Sequence, residues 1–333
     1  MKHSNISIFI PHIGCPNKCS FCNQHTISGS QKAPTAEEVR DVCEKALRES
    51  KSPENTEIAF FGGSFTAIPR DYMISLLEAV QDFIGDGKFY GIRISTRPDC
   101  ISEEILSVLK KYRVTAIELG AQSMIDYVLE ANDRGHTAQD VVDASFMIRK
   151  YGFELGLQVM IGLYRSHIGE EIMTAEKICD IRPDTVRIYP VVILRGTKLA
   201  ELYQSGEYIP VKSRGKMRAV LDIAAFMMRS FENCGIRVIK CGLHASEFVE
   251  NDMIGGFYHP AFRELCEGRV YRMKLKETLG DFSYAEVSVP ARCLSKAIGQ
   301  NRRNITYFAK KGKELRIIAD PEQTEDLKII NRR

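Results

Sequence analysis

The stretch Ile6-Ser-Ile-Phe-Ile10-Pro-His-Ile-Gly-Cys15-Pro-Asn-Lys-Cys19-Ser-Phe21-Cys22 runs from an apolar strand pattern straight into three cysteines spaced C-x3-C-x2-C. Ile6–Ile10 reads as a first buried strand that delivers the cysteine loop at its carboxyl end. Three thiolates on one short loop can each hold one iron of a cubane cluster, which leaves the fourth iron open to a further ligand. Zinc competes for the same residues, because His25 lies three positions beyond Cys22 and would close a Cys3His tetrahedron. A disulfide framework fits less well, since three cysteines on one loop of an unsecreted chain have no evident partners.

Outward from this loop, short apolar runs alternate with helical patterns. Thr35-Ala-Glu-Glu38 is a capping box opening a helix to about Glu49. Strands are expected at Glu57–Phe61, Gly91–Ser95, Ala116–Gly120, Glu154–Ile161 and Thr185–Tyr189. Helices are expected at Arg70–Phe83, Ser102–Lys111, between Met124 and Tyr151, and at Glu170–Ile181. With Ile6–Ile10 this gives six strands alternating with helices, and so an α/β fold: a partial (βα)6 TIM-like barrel of parallel strands. In such folds ligands gather beyond the carboxyl ends of the strands. The unusual stretches fall there: Cys15–Cys22, Gly62-Gly63-Ser64, Ser95-Thr-Arg-Pro-Asp99, Gln122-Ser123 and Gln158–Gly162.

The cysteine spacing, with Phe21 before the third cysteine, resembles the signature of the radical S-adenosylmethionine (SAM) superfamily. The pieces Ser95-Thr-Arg-Pro-Asp99, Leu119-Gly-Ala-Gln-Ser123, Asp133-Arg-Gly-His-Thr137, Ile188-Tyr-Pro190 and Gly196-Thr-Lys-Leu199 narrow it over roughly residues 5–210. They look like the radical-SAM half of the elongator catalytic subunit, which modifies wobble uridines of tRNA; anaerobic coproporphyrinogen dehydrogenases share a looser version. The resemblance implies that Cys15, Cys19 and Cys22 hold a 4Fe-4S cluster. It further implies that SAM chelates the open iron and is cleaved to a 5'-deoxyadenosyl radical. Implied SAM contacts are Phe21, Gly62, Gly63, Ser64, Ser95, Gln122, Arg134 and Gln158, and the implied electron source is an external reductant such as flavodoxin or ferredoxin. The chain departs from the pattern at Ser95, where relatives usually carry Glu, and at Gln158, where they often carry His or Asp. Nothing after residue 210 is patterned for an acetyl-CoA-binding acetyltransferase domain, so the elongator reaction is not carried over.

The carboxyl-terminal third is a small α+β appendage. A long amphipathic helix over Lys212–Phe231 and a strand at Arg237–Cys241 that extends the sheet are expected, followed by an aromatic and glycine-rich loop, Gly255-Gly-Phe-Tyr-His-Pro260. Leu294-Ser-Lys-Ala-Ile-Gly-Gln-Asn-Arg-Arg-Asn-Ile305 resembles the helix–loop–helix heart of a KH RNA-binding module, with Arg302 in place of the second glycine of the G-x-x-G loop. Residues 291–318 carry a net +7 against +3 for the whole chain, so the rest carries −4 and the basic excess is confined to the appendage. Lys296, Gly299, Gln300, Arg302, Arg303, Lys310 and Lys311 are the expected RNA contacts. The other cysteines, including Cys241 of Cys241-Gly-Leu-His244, Cys266 and Cys293, read as structural thiols rather than a second cluster site.

Length and composition agree with an ordinary globular protein: 333 residues, 44% hydrophobic and 27% charged. The apolar run at the amino terminus is too short for a signal peptide or membrane span, which places the chain in a reducing cytoplasm. Expected units are a barrel at 1–210, an extension packing on it at 211–280 and a KH-like module at 281–333. The expected activity is radical chemistry on an RNA nucleotide, of tRNA or rRNA. A small molecule or tetrapyrrole is the other substrate class, and an RNA- or ribosome-binding protein with a structural or redox-sensing cluster is the reading outside enzymes.

Overall fold

A computed structural model describes residues 4–11, 13, 15, 18–23, 26–27, 32–210, 216–243 and 247–333. Its first half repeats one unit: β1 (Ser4–Ile10), α1 (Ala36–Glu49), β2 (Thr56–Gly62), α2 (Arg70–Ala79), β3 (Gly91–Thr96), α3 (Glu103–Lys111), β4 (Val114–Gln122), α4 (Asp126–Ala131) and α5 (Ala138–Lys150). The series continues with β5 (Glu154–Ile161), α6 (Ile168–Ile181), β6 (Thr185–Pro190), β7 (Val192–Leu194), α7 (Lys198–Gln204), α8 (Lys216–Asn233) and β8 (Arg237–Cys241). Strands β1 to β6 and β8 form one curled, all-parallel sheet in that order, a half-barrel. The six expected strands are all present. The seventh, at 237–241, pairs with β6 and puts part of the 211–280 stretch into the barrel sheet itself.

Local chemistry explains the helix ends. Thr35 Oγ1 accepts from the Glu38 N–H at 3.2 Å while Glu38 Oε2 accepts from the Thr35 N–H at 2.7 Å, the reciprocal pair expected of a capping box. The helix expected over Arg70–Phe83 stops early, at Ala79, and a short 3-10 turn covers Gln81–Phe83. Gln81 causes the break: its side-chain amide donates to the carbonyls of Leu77 (2.8 Å) and Tyr112 (3.0 Å), replacing the bonds a continuing helix would make. The core is the layer between helices and sheet, with Ile58, Phe60, Ile92, Ile94, Ile117, Leu155 and Leu157 buried on the strands.

Of the glycine-rich stretch expected as a loop, Gly255 and Gly256 end β9 (Met253–Gly256), which follows α9 (Glu247–Asp252) and pairs antiparallel with β7, while residues 257–260 lie outside any helix or strand. Helix α10 (Phe262–Leu279) then joins the two parts of the molecule. Its first half, with Phe262, Leu265 and Cys266, packs into the main core, and its second half, with Leu275 and Leu279, covers a small separate sheet. That sheet is β10 (Tyr284–Pro290), flanked by β11 (Glu314–Asp320) in parallel and β12 (Lys328–Arg332) in antiparallel. Helices α11 (Leu294–Ile298) and α12 (Arg303–Ala309) connect β10 to β11.

Candidate active site at the strand ends

The cysteine loop leaves β1 and is pinned by long-range bonds. Ser20 is fully buried; its N–H donates to the Asn132 carbonyl at 3.1 Å and its hydroxyl to Asn132 Oδ1 at 2.9 Å. The Asn132 amide in turn donates to the carbonyls of Val128 and Tyr164, at 2.8 and 2.9 Å. On the other side the Ser20 carbonyl accepts from the Leu199 N–H at 2.7 Å. The loop is therefore held between α4, the end of β5 and the start of α7. A tight turn, with the Cys22 N–H bonded to the Cys19 carbonyl at 3.1 Å, brings the last two cysteines onto one bend.

Gly62 and Gly63 owe their identity to this loop. A side chain at Gly63 would lie 2.4 Å from the Ile13 carbonyl oxygen, and one at Gly62, where φ is +112°, 2.8 Å from that of Ile10. The Gly63 N–H already bonds the Ile10 carbonyl at 2.7 Å, so the glycine pair seats the cysteine loop, and only Gly62 also lines the cavity described below. Ser64 likewise turns its hydroxyl inward, to Thr96 Oγ1 at 2.8 Å and the Arg97 N–H at 3.2 Å, which leaves its backbone N–H to meet the Cys15 sulfur. Burial raises the Cys15 thiol pKa, and the Ser64 N–H opposes that shift.

Arg134 reaches the same loop from the far side. Its guanidinium donates to Cys19 Sγ at 3.0 Å and to the Gly120 carbonyl at 2.5 Å. Gln122 ends β4 with φ +64°, an uncommon left-handed conformation for a residue other than glycine. Arg97, buried and bidentate on Asp99 at 2.9 Å for both bonds, stands beside them; it was quoted within a motif but not singled out from sequence. His136 accepts no neighbour's proton: burial first, then the cations Arg134 and Arg97, hold its pKa down at about 4, so it is neutral.

Behind the loop a cavity of about 470 Å³ opens inside the half-barrel, walled by Phe9, Phe21, Phe61, Met160, Tyr189 and Val192 among others. Its polar wall is part of a ladder of charges that crosses the sheet. Arg93 bonds Glu57 at 2.6 Å, Glu118 at 3.3 Å and Glu154 at 2.9 Å; Arg187 bonds Glu118 at 2.5 and 2.9 Å. Gln158 donates to Glu118 at 3.0 Å and to Ser95 Oγ at 3.1 Å, so both residues are tied into the ladder at the cavity wall. Lys240, opposite Arg187 in the β6–β8 register, lines the same wall and has no acid of its own among the described residues. Burial, with Arg187 and Arg263 near, holds its pKa below the usual lysine value. None of Glu118, Arg187 or Lys240 was picked from sequence, and only strand register brings them together.

Do these residues fit a cluster with a polar cofactor? Among the described residues, six buried side-chain atoms lack a hydrogen-bond partner, and four of them sit here: Gln122 Oε1, Arg134 Nε, Arg97 Nη1 and His136 Nδ1. Buried polar atoms are normally satisfied, so their concentration at the ends of β3 and β4 fits a ligand rich in donors and acceptors. The protein-only structure does not gather three His, Cys, Asp or Glu side chains into a metal-ready set among the described residues. His25 and His244, the histidines considered as ligands, lie outside those residues. Cys241 and Cys266 are buried next to each other in the main core, while Cys293 lies apart against Tyr271.

The expected RNA contacts divide. Gly299 is buried against Asn304, whose amide donates to the carbonyls of Gly268 and Ala297 at 2.8 Å each; a side chain at Gly268 would lie 3.5 Å from the Gly299 Cα. The turn is thus fastened to α10, and Gly299 serves that seam. Lys296 pairs with Glu267 at 3.1 Å, Gln300 is half-buried, and Arg302, Arg303, Lys310 and Lys311 are exposed. No helix among the described residues is long and apolar enough to cross a membrane.

Comparisons with known proteins agree with this geometry. The family model described as "Radical SAM superfamily" matches residues 9–177, and that of the radical SAM C-terminal domain matches 183–272. An uncharacterised protein of Methanocaldococcus jannaschii is 32% identical, over 66% of this chain and 66% of its own. Elongator complex protein 3 of Saccharomyces cerevisiae is 27% identical over 57% of this chain and 38% of its own, and the tRNA uridine(34) acetyltransferase of M. jannaschii 28% identical over 47% and 32%. The chain therefore spans from about a third to just under two thirds of the length of these relatives. Among solved structures, archaeal Methanocaldococcus infernus Elp3 superposes with a TM-score of 0.56 at 19% identity, covering 75% of this chain and 62% of that one.

Proposed function

This chain belongs to the radical SAM superfamily, whose cofactors are a 4Fe-4S cluster and SAM, and on that premise we propose that it modifies a nucleotide of RNA, tRNA or rRNA. When bound, the cluster supplies one electron for reductive cleavage of SAM, giving a 5'-deoxyadenosyl radical that abstracts hydrogen from the substrate. Cys15, Cys19 and Cys22 would hold the cluster on the pinned loop, with Phe21 packed beside it. Arg97, Arg134 and Gln122 carry unpartnered polar atoms suited to the carboxylate and amino group of SAM, and Gly62 leaves backbone open on the cavity. Lys240 and Gln158 face the cavity, where a nucleobase carbonyl could accept from them. An external one-electron reductant such as flavodoxin or ferredoxin completes the chemistry.

The observation that carries the RNA reading is the placement of charge. A largely apolar cavity with one polar wall lies in the half-barrel, the residues outside 291–318 sum to −4, and the basic excess stands in an appendage that α10 joins to the same core. The relatives' names point the same way, since they include tRNA uridine(34) acetyltransferases. The test is 5'-deoxyadenosine formation by anaerobically reconstituted protein, with SAM and reductant, in the presence and absence of RNA from cells lacking this gene. RNA should stimulate turnover, and nuclease digestion should remove the stimulation. Turnover indifferent to RNA would overturn the reading in favour of a small-molecule substrate, and an intact cluster without turnover would favour a binding protein.

A further inference from the structure

One face of α10 presents Arg269, Arg272 and Lys276 at spacings of three and four, so the three side chains rise from the same stripe. Opposite them, α8 contributes Arg218, and the start of α12 contributes Arg303. The placement of Arg272 is fixed. Arg272 donates to Asn304 Oδ1 at 2.8 Å and to the Arg303 carbonyl at 3.4 Å, and Asn304 is the residue that fastens the 299–303 turn to α10. The Arg272 guanidinium lies 4.5 Å from the centre of the Tyr307 ring, and Lys311 covers the same ring at 4.9 Å.

Among the described residues few carboxylates balance this group. Asp222 takes Arg269 at 2.6 Å and stands 4.0 Å from Arg218. The nearby acids of α10 point elsewhere: Glu267 to Arg263 and Lys296, and Glu277 to Arg229. Burial, followed by mutual repulsion, lowers the pKa of Arg269 and brings that of Arg272 down to about 10, opposed in part by Asp222. Like charges held together on a rigid seam cost stability, and an anion would recover it.

We infer that the seam between α8, α10 and α12 binds successive phosphates of a single-stranded RNA backbone through Arg218, Arg269, Arg272, Lys276 and Arg303. Several separate cations along a helix stripe match a chain of repeated charges better than one isolated anion, and guanidinium forks match phosphate. Tyr307 is already covered by two cations, so the seam offers no free aromatic face to a base, and its contacts hold the strand without reading sequence. The inference deepens the RNA reading above and rests on it for the identity of the polyanion.

The test is fluorescence anisotropy of the full reconstituted chain with a labelled uridine 12-mer across a series of KCl concentrations. Loss of two phosphate contacts in Arg269→Gln/Arg303→Gln should lower the slope of log affinity against log salt by about 1.4. A second variant, Lys276→Gln/Arg303→Gln, removes only exposed side chains and guards against misfolding of the first. Arg316→Gln/Lys328→Gln, an equal loss of charge on the small sheet, should leave the slope unchanged. Wild-type slope in both seam variants would overturn the inference, as would displacement of the RNA by poly-glutamate at equal charge concentration, which would mark a site for an acidic protein. RNA-stimulated 5'-deoxyadenosine formation is read separately: if it persists while the seam variants bind like wild type, the seam falls and the RNA-modifying reading stands.

Discussion

The half-barrel and the appendage both concentrate charge, but they handle it in opposite ways. Inside the barrel Arg93 is 1% exposed and shared by three carboxylates, and Arg187 closes the ladder on Glu118. On the seam, Arg269 and Arg218 share Asp222, Arg272 rests on Asn304 and the Tyr307 ring, and Lys276 and Arg303 are exposed. A closed ladder cannot recruit a ligand through its own charges, because they are spent on one another; it fixes strand register and the position of Gln158 and Ser95 at the cavity wall. An open cluster does the reverse, adding little to the fold and attracting anions. Lys240 is the exception within the barrel, a cation on a cavity wall with no acid of its own among the described residues.

Breaking the ladder should give the largest effect. Arg93→Met removes the buried cation that Glu57, Glu118 and Glu154 share, leaving Glu118 on Arg187 alone, and unfolding in urea should show a loss of about 3–5 kcal/mol. A loss under about 1 kcal/mol would mean that the ladder is hydrated and not closed.

A pH series on the cluster-free protein probes two more buried barrel groups. Burial raises the pKa of Glu171 to about 7, against bonds from the Gly162 N–H and the Ser166 hydroxyl, both at 2.8 Å. Its contribution to stability is complete below 4.5 and is lost as pH rises through 7. His136, lowered to about 4 from 6.5, contributes in the opposite sense: its share is complete above 6.5 and is lost as pH falls towards 4. The two slopes cancel between pH 4.5 and 6.5. Glu171→Gln removes one of them, and its stability should rise with pH across that window by about 1.4 kcal/mol per unit. A flat profile in the variant would show that His136 is not perturbed in this way.

The smallest effect belongs to the appendage. Arg316 is 66% exposed and 3.5 Å from Glu286, so Arg316→Gln should change the free energy of unfolding by less than about 0.5 kcal/mol. A cost comparable to that of Arg93→Met would erase the contrast between the two regions.

Much of the barrel was legible because its signals are local. Thr35 and Glu38 are three residues apart, the apolar runs give the strands, and the three cysteines fall within eight positions. Gly62 and Gly63 could be picked from sequence, but the reason for them could not: their neighbours are Ile10 and Ile13, more than forty residues earlier. Ser20 and Asn132 form the pin of the cysteine loop across 112 positions, and neither carries a motif of its own. The early end of α2 at Gln81 was hidden for the same reason, since half of its cause is the Tyr112 carbonyl.

By itself the sequence determined the alternation of strands and helices, the three-cysteine loop, the family and the basic tail, because each is written in spacing or composition over a short window. Tertiary structure alone decided that Lys240 stands opposite Arg187, that Arg97 joins Arg134 and Gln122 at the strand ends, and that Gly299 faces α10. Each of these depends on which strand or helix lies next to which. That is set by the register of a sheet and the packing of a helix seam, and both are fixed only once distant parts of the chain have buried their apolar faces together.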